Sequence, residues 1–320
     1  MSLLRVMPFP SPDSVFFDSG IGGLRMLREC MRFFNNELRE RDLNTYPEVY
    51  FVYVADTVRF PYSQMTVDQV LQRKGELLDF FYPKEQRSTF PLFRVFACHS
   101  LASHQHKFEV VRKSLASSFS LNMMPAINEV IDLSTSQHIL VLCTPITGKS
   151  AYVQQVQNNL QPGQNCVVVS PKELAALSEE RFFAQSLFRH QNMVDQENKI
   201  AQEIEQALLD NPKIDVILLA CTHYIFSESF IHQVASKTLG IPKVPIVDSA
   251  MIRLAQNEEY LISVLDKIIE NNPCNSLKPS FRVMIFSGYQ HNQIKRIVKY
   301  LRDDGYPVDI SHCNLQTCLS

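Results

Sequence analysis

Two cysteines stand in matching local sequence. Leu92-Phe93-Arg94-Val95-Phe96 runs into Ala97-Cys98-His99-Ser100, and Val216-Ile217-Leu218-Leu219 runs into Ala220-Cys221-Thr222-His223. Each is an apolar strand-like run, then Ala-Cys, then two polar residues, then a helix-like stretch. A thiol between a strand end and a helix start lies against unpaired backbone N–H groups and the positive end of the helix dipole, a setting that favours thiolate. The same N–H groups can hold a carboxylate. One such cysteine is more often a small core residue, but a matched pair shifts the balance towards chemistry. Two facing thiols suit removal of a proton from one face of a stereocentre and its return to the other, with the roles exchanged in the reverse direction. One cysteine beside a histidine base would suggest nucleophilic catalysis instead.

Further segments carry chemical potential. Asp18-Ser19-Gly20-Ile21-Gly22-Gly23-Leu24 follows a strand-like run, and its glycines permit a tight turn and close backbone approach to an anion. The spacing departs from GxGxxG and lacks the GK[ST] of a P-loop. Asp18 either orients a thiol or caps the next helix. In the loop Ala55–Ser63, Tyr62 and the backbone around Ser63 are offered to a ligand, or Asp56 and Arg59 simply pair in a packed loop. His104 and His106, two apart on a helix-like stretch, point to different faces, so no metal site is expected. Cys143 also ends a strand and reads as a structural thiol.

These residues need a scaffold, and the chain alternates short apolar runs with amphipathic stretches. Strands are expected at Ser14–Asp18, Val49–Ala55, Phe93–Cys98, His138–Cys143, Cys166–Ser170, Asp215–Cys221, Val244–Val247 and Arg282–Ser287. Helices are expected at Gly23–Phe34, Thr66–Phe81, Ser103–Ser117, Ser150–Asn159, Lys199–Leu209, Glu228–Thr238 and Gln290–Arg302. That alternation predicts an α/β fold of doubly wound, parallel-type sheets, with ligands at the carboxyl ends of strands. The cysteine echo predicts two related halves. Asn271–Ser280 reads as a loop, and the tail after Arg302 as partly extraneous to the fold.

The bulk properties narrow the class. A chain of 320 residues, 45% hydrophobic and 20% charged, is ordinary for a globular protein, and two domains are expected. A formal net charge of -2 gives no pull towards nucleic acid or an anionic membrane. No apolar run approaches the ~20 residues of a membrane span. MSLLRVMPFPSPDS lacks the features of a signal peptide, so a cytoplasmic location is expected. The eight cysteines are scattered without a CxxC, which predicts free thiols and no structural zinc.

Taken together, the segments resemble the glutamate racemases of the aspartate/glutamate racemase superfamily. The family's DSGxGGL appears as Asp18–Leu24 and its GDTxRxPYG as Ala55–Ser63. Its ACNT appears as Ala97-Cys98-His99-Ser100, and its LGCTHYP as Leu219-Ala220-Cys221-Thr222-His223-Tyr224-Ile225. Thr144-Pro145-Ile146-Thr147 resembles its T-x-x-T, Leu174–Glu179 its L-V-x-L-V-E, and Val247-Asp248-Ser249-Ala250 its I-D-S-A.

The resemblance implies an amino-acid racemase, an isomerase that interconverts L- and D-glutamate without cofactor or metal and supplies D-glutamate for peptidoglycan. It implies an active site in a cleft between two pseudo-symmetric domains, 1–121 with 246–320 carrying Cys98, and 122–245 carrying Cys221. Cys98 and Cys221 would serve opposite faces of the α-carbon, Asp18 assisting Cys98, and His223 and Glu179 assisting Cys221. Ser19, Pro61, Tyr62, Ser63, His99, Ser100, Thr147 and Thr222 would surround the amino acid. The partner implied is this small substrate, with neither nucleic acid nor membrane required and a homodimer left open. His99 for Asn adds either a positive charge or a new hydrogen-bond geometry, and Ser63 replaces a glycine. Ala55 and Ala220 also replace glycines, and Ile225 a proline. These departures keep open a racemase for another amino acid such as aspartate, or a non-catalytic ligand-binding or regulatory protein on the same fold.

Overall fold

The computed structural model describes residues 12–41, 43–58, 60–81, 93–103, 119–184, 191–272 and 274–315. Most of the expected helix Ser103–Ser117 lies outside them, as do Arg59, His104, His106 and Cys318.

Eleven strands among the described residues form two sheets. The first sheet takes β1 (Ser14–Asp18), β2 (Tyr46–Ala55), β3 (Phe93–Phe96), β4 (Phe119–Asn122), β10 (Ser280–Ser287) and β11 (Val308–Asn314), in the order β11-β10-β2-β1-β3-β4. A short β9 (Cys274–Ser276) pairs antiparallel with β2, inside a stretch expected to be loop. The second sheet takes β5 (His138–Cys143), β6 (Asn165–Val169), β7 (Val216–Ala220) and β8 (Ile246–Asp248), in the order β6-β5-β7-β8. Every pairing except β2 with β9 is parallel.

The cysteine echo corresponds to a topological repeat. The order β2-β1-β3-β4 in the first sheet is repeated as β6-β5-β7-β8 in the second. In each set the third strand leads to a cysteine of the echo, Cys98 after β3 and Cys221 after β7. Both cysteines therefore lie at carboxyl ends of parallel strands beside a reversal of strand order, where open α/β sheets gather their ligands.

Sequence accounts for these elements directly. In β1 (SVFFD) and β7 (VILLA) every residue is buried, as expected of parallel strands covered on both faces. The helix Leu24–Glu40 buries Leu24, Leu27, Met31, Phe34 and Leu38, spaced three or four apart, against the first sheet. The helix Glu228–Leu239 stops at Gly240, whose φ of 68° is the left-handed cap conformation that glycine adopts without strain.

Two expectations are corrected. The tail after Arg302 is integral, because β11 pairs with β10 from Phe281↔Val308 to Ser287↔Asn314 and Leu315 packs under the sheet. Ile246, expected to begin the return to the first half, instead opens β8, which pairs with β7 in the second sheet. The reason is continuity: β8 completes the second four-strand set before the chain crosses back.

Candidate active site

The carboxyl ends of the two sheets meet. β3 ends at Phe96, and the Ala97 N–H donates to the Phe17 carbonyl at 3.0 Å, extending the ladder one residue towards Cys98. Cys98 is the extended N-cap of a single helical turn, His99–Ala102, so the chain reverses at the thiol. Its Sγ lies 3.9 Å from Ser19 Oγ, which comes from the end of β1. Cys221 makes the corresponding turn after β7, its carbonyl accepting from Tyr224 N–H.

Both thiols are buried. Burial pushes the Cys221 thiol well above its ordinary range, and the nearby Cys98, Asp18 and Cys143 add to this while the His223 backbone N–H opposes it. The expectation that a strand-to-helix turn favours thiolate is therefore corrected for Cys221. Desolvation outweighs the local N–H groups, and the resting side chain is a thiol, that is, a proton donor.

Asp18 joins the halves. Its Oδ1 accepts from Gly20 N–H at 3.2 Å and Ser19 Oγ at 3.4 Å, and its Oδ2 accepts from Thr222 Oγ across the cleft at 3.0 Å. It does not cap the following helix, whose N-cap is Gly23 with no side-chain bond. His223 lies between two carboxylates, with Nδ1 3.9 Å from Asp18 Oδ1 and Nε2 3.4 Å from Glu179 Oε2. Burial alone would lower its pKa, but the Glu179 contact and the charges of Asp18 and Glu179 outweigh burial and leave it raised. The two carboxylates thus stabilise the charged form of the ring, which stands two residues along the chain from Cys221. The Phe60 ring covers His223 at a centroid distance of 5.2 Å.

The glycines of the Asp18 segment have a role that the sequence reading assigned to a ligand. A Cβ on Gly20 would lie 2.3 Å from Glu179 Oε2 and 2.7 Å from His223 Nε2. On Gly22 it would lie 2.3 Å from Thr222 Oγ and 2.6 Å from His223 Nδ1. None of Gly20, Gly22 and Gly23 has positive φ. What they permit is close approach of the second half's side chains to the first half's backbone. Gly22→Ala is expected to displace His223 and Thr222, lowering activity about 10²-fold and stability by about 1–3 kcal/mol. Steady-state kinetics and urea unfolding check both effects.

A hydroxyl cluster closes another part of the cleft. Ser100 Oγ lies 2.8 Å from Thr144 Oγ and 3.5 Å from Thr147 Oγ, and the two threonine hydroxyls are 3.0 Å apart. Thr144 also caps the turn Pro145–Gly148 through Thr147 N–H. Tyr62 packs with Val70, Cys98 and Ile146, next to the thiol. Its hydroxyl is nevertheless committed to Asp56 Oδ2 at 2.6 Å, and Arg73 holds the same carboxylate with two bonds of 2.7 and 2.8 Å. Asp56 therefore pairs with Arg73 and Tyr62, and the Arg59 pairing offered by the sequence lies outside the described residues. Pro61 follows Phe60 through a cis peptide bond and precedes the short turn Tyr62–Gln64, which contains Ser63.

His99 is 1% exposed, and neither ring nitrogen has a hydrogen-bond partner among the described residues. Burial, reinforced by the Arg253 charge, lowers its pKa to about 3. Of the two alternatives for His99, a positive charge or a new hydrogen-bond geometry, burial favours the second: a neutral donor–acceptor ring. Since the unfolded chain takes up this proton near pH 6.5 and the fold resists it, the stability linked to His99 is complete above about pH 6.5 and is lost as pH falls towards 3. NMR of the His99 ring should show no titration between about pH 5 and 8.

The structure brings Asp18, Ser19, Cys98, Thr222, His223 and Glu179 into contact around one cleft, with Ser100 and Thr147 in an adjoining cluster. Sequence reasoning missed Tyr53, whose hydroxyl donates to the Gly20 carbonyl at 2.6 Å, and Tyr289, whose hydroxyl donates to Glu179 Oε1 at 2.8 Å. Burial in β2 was the signal available for Tyr53, whereas nothing in local spacing marked Tyr289. Among the described residues no group of three or more His, Cys, Asp or Glu side chains could hold a metal ion, and no helix is long and apolar enough to cross a membrane.

No protein-family model matches this chain. A curated glutamate racemase of Bartonella bacilliformis is 32% identical over 223 residues, covering 69% of this chain and 73% of its own length. The glutamate racemase of Bartonella tribocorum is 30% identical over 222 residues, covering 69% of this chain and 72% of its own. Among solved structures, a glutamate racemase isoform of Bacillus anthracis aligns with a TM-score of 0.63 at 23% identity, covering 95% of this chain and 98% of its own. The Escherichia coli glutamate racemase, solved with L-glutamate and the activator UDP-MurNAc-Ala, aligns with a TM-score of 0.61 at 18% identity, covering 95% and 99%. The two structures share the fold, and identity of 30% and above to the two curated enzymes over some two thirds of the sequence places the chain in the glutamate racemase family.

Proposed function

We propose that the protein interconverts L- and D-glutamate by deprotonation and reprotonation at the α-carbon, with Cys98 and Cys221 on opposite faces. The observation that carries this is the pair of buried thiols at equivalent positions of two repeated four-strand sets, close enough for the charge of one to act on the other. One cysteine, as thiolate, takes the α-proton, and the bonding pair remains as a carbanion delocalised into the carboxyl group. The other, as thiol, gives its proton to the opposite face, leaving the two thiols with exchanged roles. Burial favours the protonated form of Cys221, which can then act as donor, and removing the α-proton there requires prior ionisation, which the His223 imidazolium assists.

Asp18 organises the Cys98 side through Ser19, and His223 with Glu179 serves the Cys221 side. Ser19, Ser100, Thr147 and Thr222 offer hydroxyls to the substrate, and neutral His99 offers one donor and one acceptor. Tyr62 contributes ring surface beside Cys98, its hydroxyl being held by Asp56, and its chain neighbours Pro61 and Ser63 are proposed as further substrate contacts. Two units, one around each thiol, a cytoplasmic location, homodimer formation and supply of D-glutamate to peptidoglycan belong to the same proposal.

A panel of L- and D-amino acids followed by circular dichroism tests the substrate. Glutamate turning over with the highest kcat/KM supports the reading, and a higher value for aspartate or another amino acid contradicts it.

A further inference from the structure

Glu179 is held from both halves of the molecule. It sits on the helix Leu174–Phe183, which packs on the second sheet. Its Oε2 is 3.4 Å from His223 Nε2 and accepts from Ile21 N–H at 3.4 Å. Its Oε1 accepts the hydroxyl of Tyr289 at 2.8 Å. Tyr289 follows the end of β10 in the first sheet and is buried, its ring edge-on to Phe183 at 5.1 Å.

The turn that carries Tyr289 is itself fixed. Tyr289 N–H donates to Ser287 Oγ at 3.3 Å, Ser287 Oγ lies 3.0 Å from His312 Nε2 on β11, and Gly288 N–H donates to Thr57 Oγ at 2.6 Å. The phenol is thus a donor on a rigid mount aimed at one carboxylate oxygen. A carboxylate turns easily about its last side-chain torsion, so a bond to one oxygen sets where the other points.

We propose that Tyr289 is a positioning residue for racemisation: its hydroxyl fixes Glu179 Oε1 so that Oε2 faces His223 and keeps that imidazole poised behind Cys221. The inference rests on the reading of Cys221 and His223 as acid–base partners. Because Tyr289 comes from the first half and Glu179 from the second, the contact also ties the Cys221 side of the chemistry to the first sheet. The titratable groups facing this cluster are Asp18, Glu179, Tyr53, Tyr289 and Cys221, besides His223 itself. Burial and the Glu179 charge keep the Tyr289 phenol protonated, as a donor must be.

Tyr289→Phe removes the hydroxyl and keeps the ring. It is expected to lower kcat about ten-fold while KM stays near the wild-type value. Enantiomers are equal in energy, so kcat/KM must fall equally in both directions. The α-deuterium isotope effect on kcat/KM separates the two thiols. It should rise for the enantiomer whose proton Cys221 removes and fall for the other. The His223 imidazolium pKa, read by NMR of the ring, should drop as Glu179 turns away. 3-Fluorotyrosine at position 289 keeps the donor and should restore wild-type behaviour.

Unchanged isotope effects together with an unchanged His223 titration in folded Tyr289→Phe would overturn the proposal. Should that variant not fold, the fluorine resonance of 3-fluorotyrosine at position 289 must shift on Glu179→Gln, and no shift overturns it. Absence of glutamate interconversion by the wild-type protein would instead defeat the racemase reading, while the His223 titration would still report on the Tyr289 contact.

Discussion

Replacing Cys98 by alanine is expected to slow glutamate interconversion by about 10²–10⁴-fold in both directions, and so is replacing Cys221. Each variant retains one thiol, and one thiol can neither abstract and deliver a proton on opposite faces nor be bypassed by water in a buried site. The double variant should be little worse than either single one, because each removes a step that the other depends on. Stability is a separate question. Both side chains are small and buried, and loss of one sulfur leaves a small void, so both variants should remain folded. Circular dichroism at fixed wavelength gives the rates and thermal unfolding confirms the fold. Full activity in either variant would place the chemistry elsewhere.

The second large effect concerns a residue away from the reacting atoms. Arg73, on the helix Val67–Phe81, forms a two-pronged bond to Asp56, whose side chain is 0% exposed and also accepts from Tyr62. Arg73→Ala would leave that carboxylate buried without its counter-ion, and removal of one partner of such a pair typically costs about 3–5 kcal/mol. Urea unfolding of Arg73→Ala should show a loss of this size, with a smaller loss for Arg73→Lys, which keeps the charge but not the fork. Since the same carboxylate anchors Tyr62 next to Cys98, activity measured under folding conditions should fall as well. A change within about 0.5 kcal/mol would mean that the loop after β2 is held by its apolar packing.

The parts of this molecule that sequence revealed are those with a local signature. Each cysteine of the echo follows a continuous apolar run, and such runs with small polar sequels are what parallel strands and their carboxyl-end turns require. The repeat of strand order gives the echo its three-dimensional basis. Asp18 could be offered to a thiol from its place at a strand end, but Glu179 could be placed near one only through resemblance, since no periodicity links residues from different sheets. Tyr289 was illegible for the same reason: it meets Glu179 across 110 residues of chain. The tail after Arg302 was misjudged because Val308–Asn314 is an edge strand in which only Val308 is buried, and it lacks the long apolar run of a central strand. The glycines were read correctly as sites of close approach, but what approaches them is His223, Thr222 and Glu179.

Neutral His99 bears on specificity. At this position a ring whose two nitrogens have no hydrogen-bond partner among the described residues replaces the asparagine of the family pattern. An imidazole held neutral can donate from one nitrogen and accept at the other, which preserves the donor–acceptor character of an amide while changing its reach. Retention of glutamate as substrate is consistent with that chemistry.

The most direct measurement is to incubate the protein separately with L- and D-glutamate in deuterated buffer, following optical rotation and α-deuterium together. Two-thiol racemisation predicts that each enantiomer yields the other carrying solvent deuterium, and that Cys98→Ala and Cys221→Ala each slow interconversion by about 10²–10⁴-fold. Inversion without deuterium incorporation, or interconversion at the wild-type rate after loss of either thiol, would contradict it.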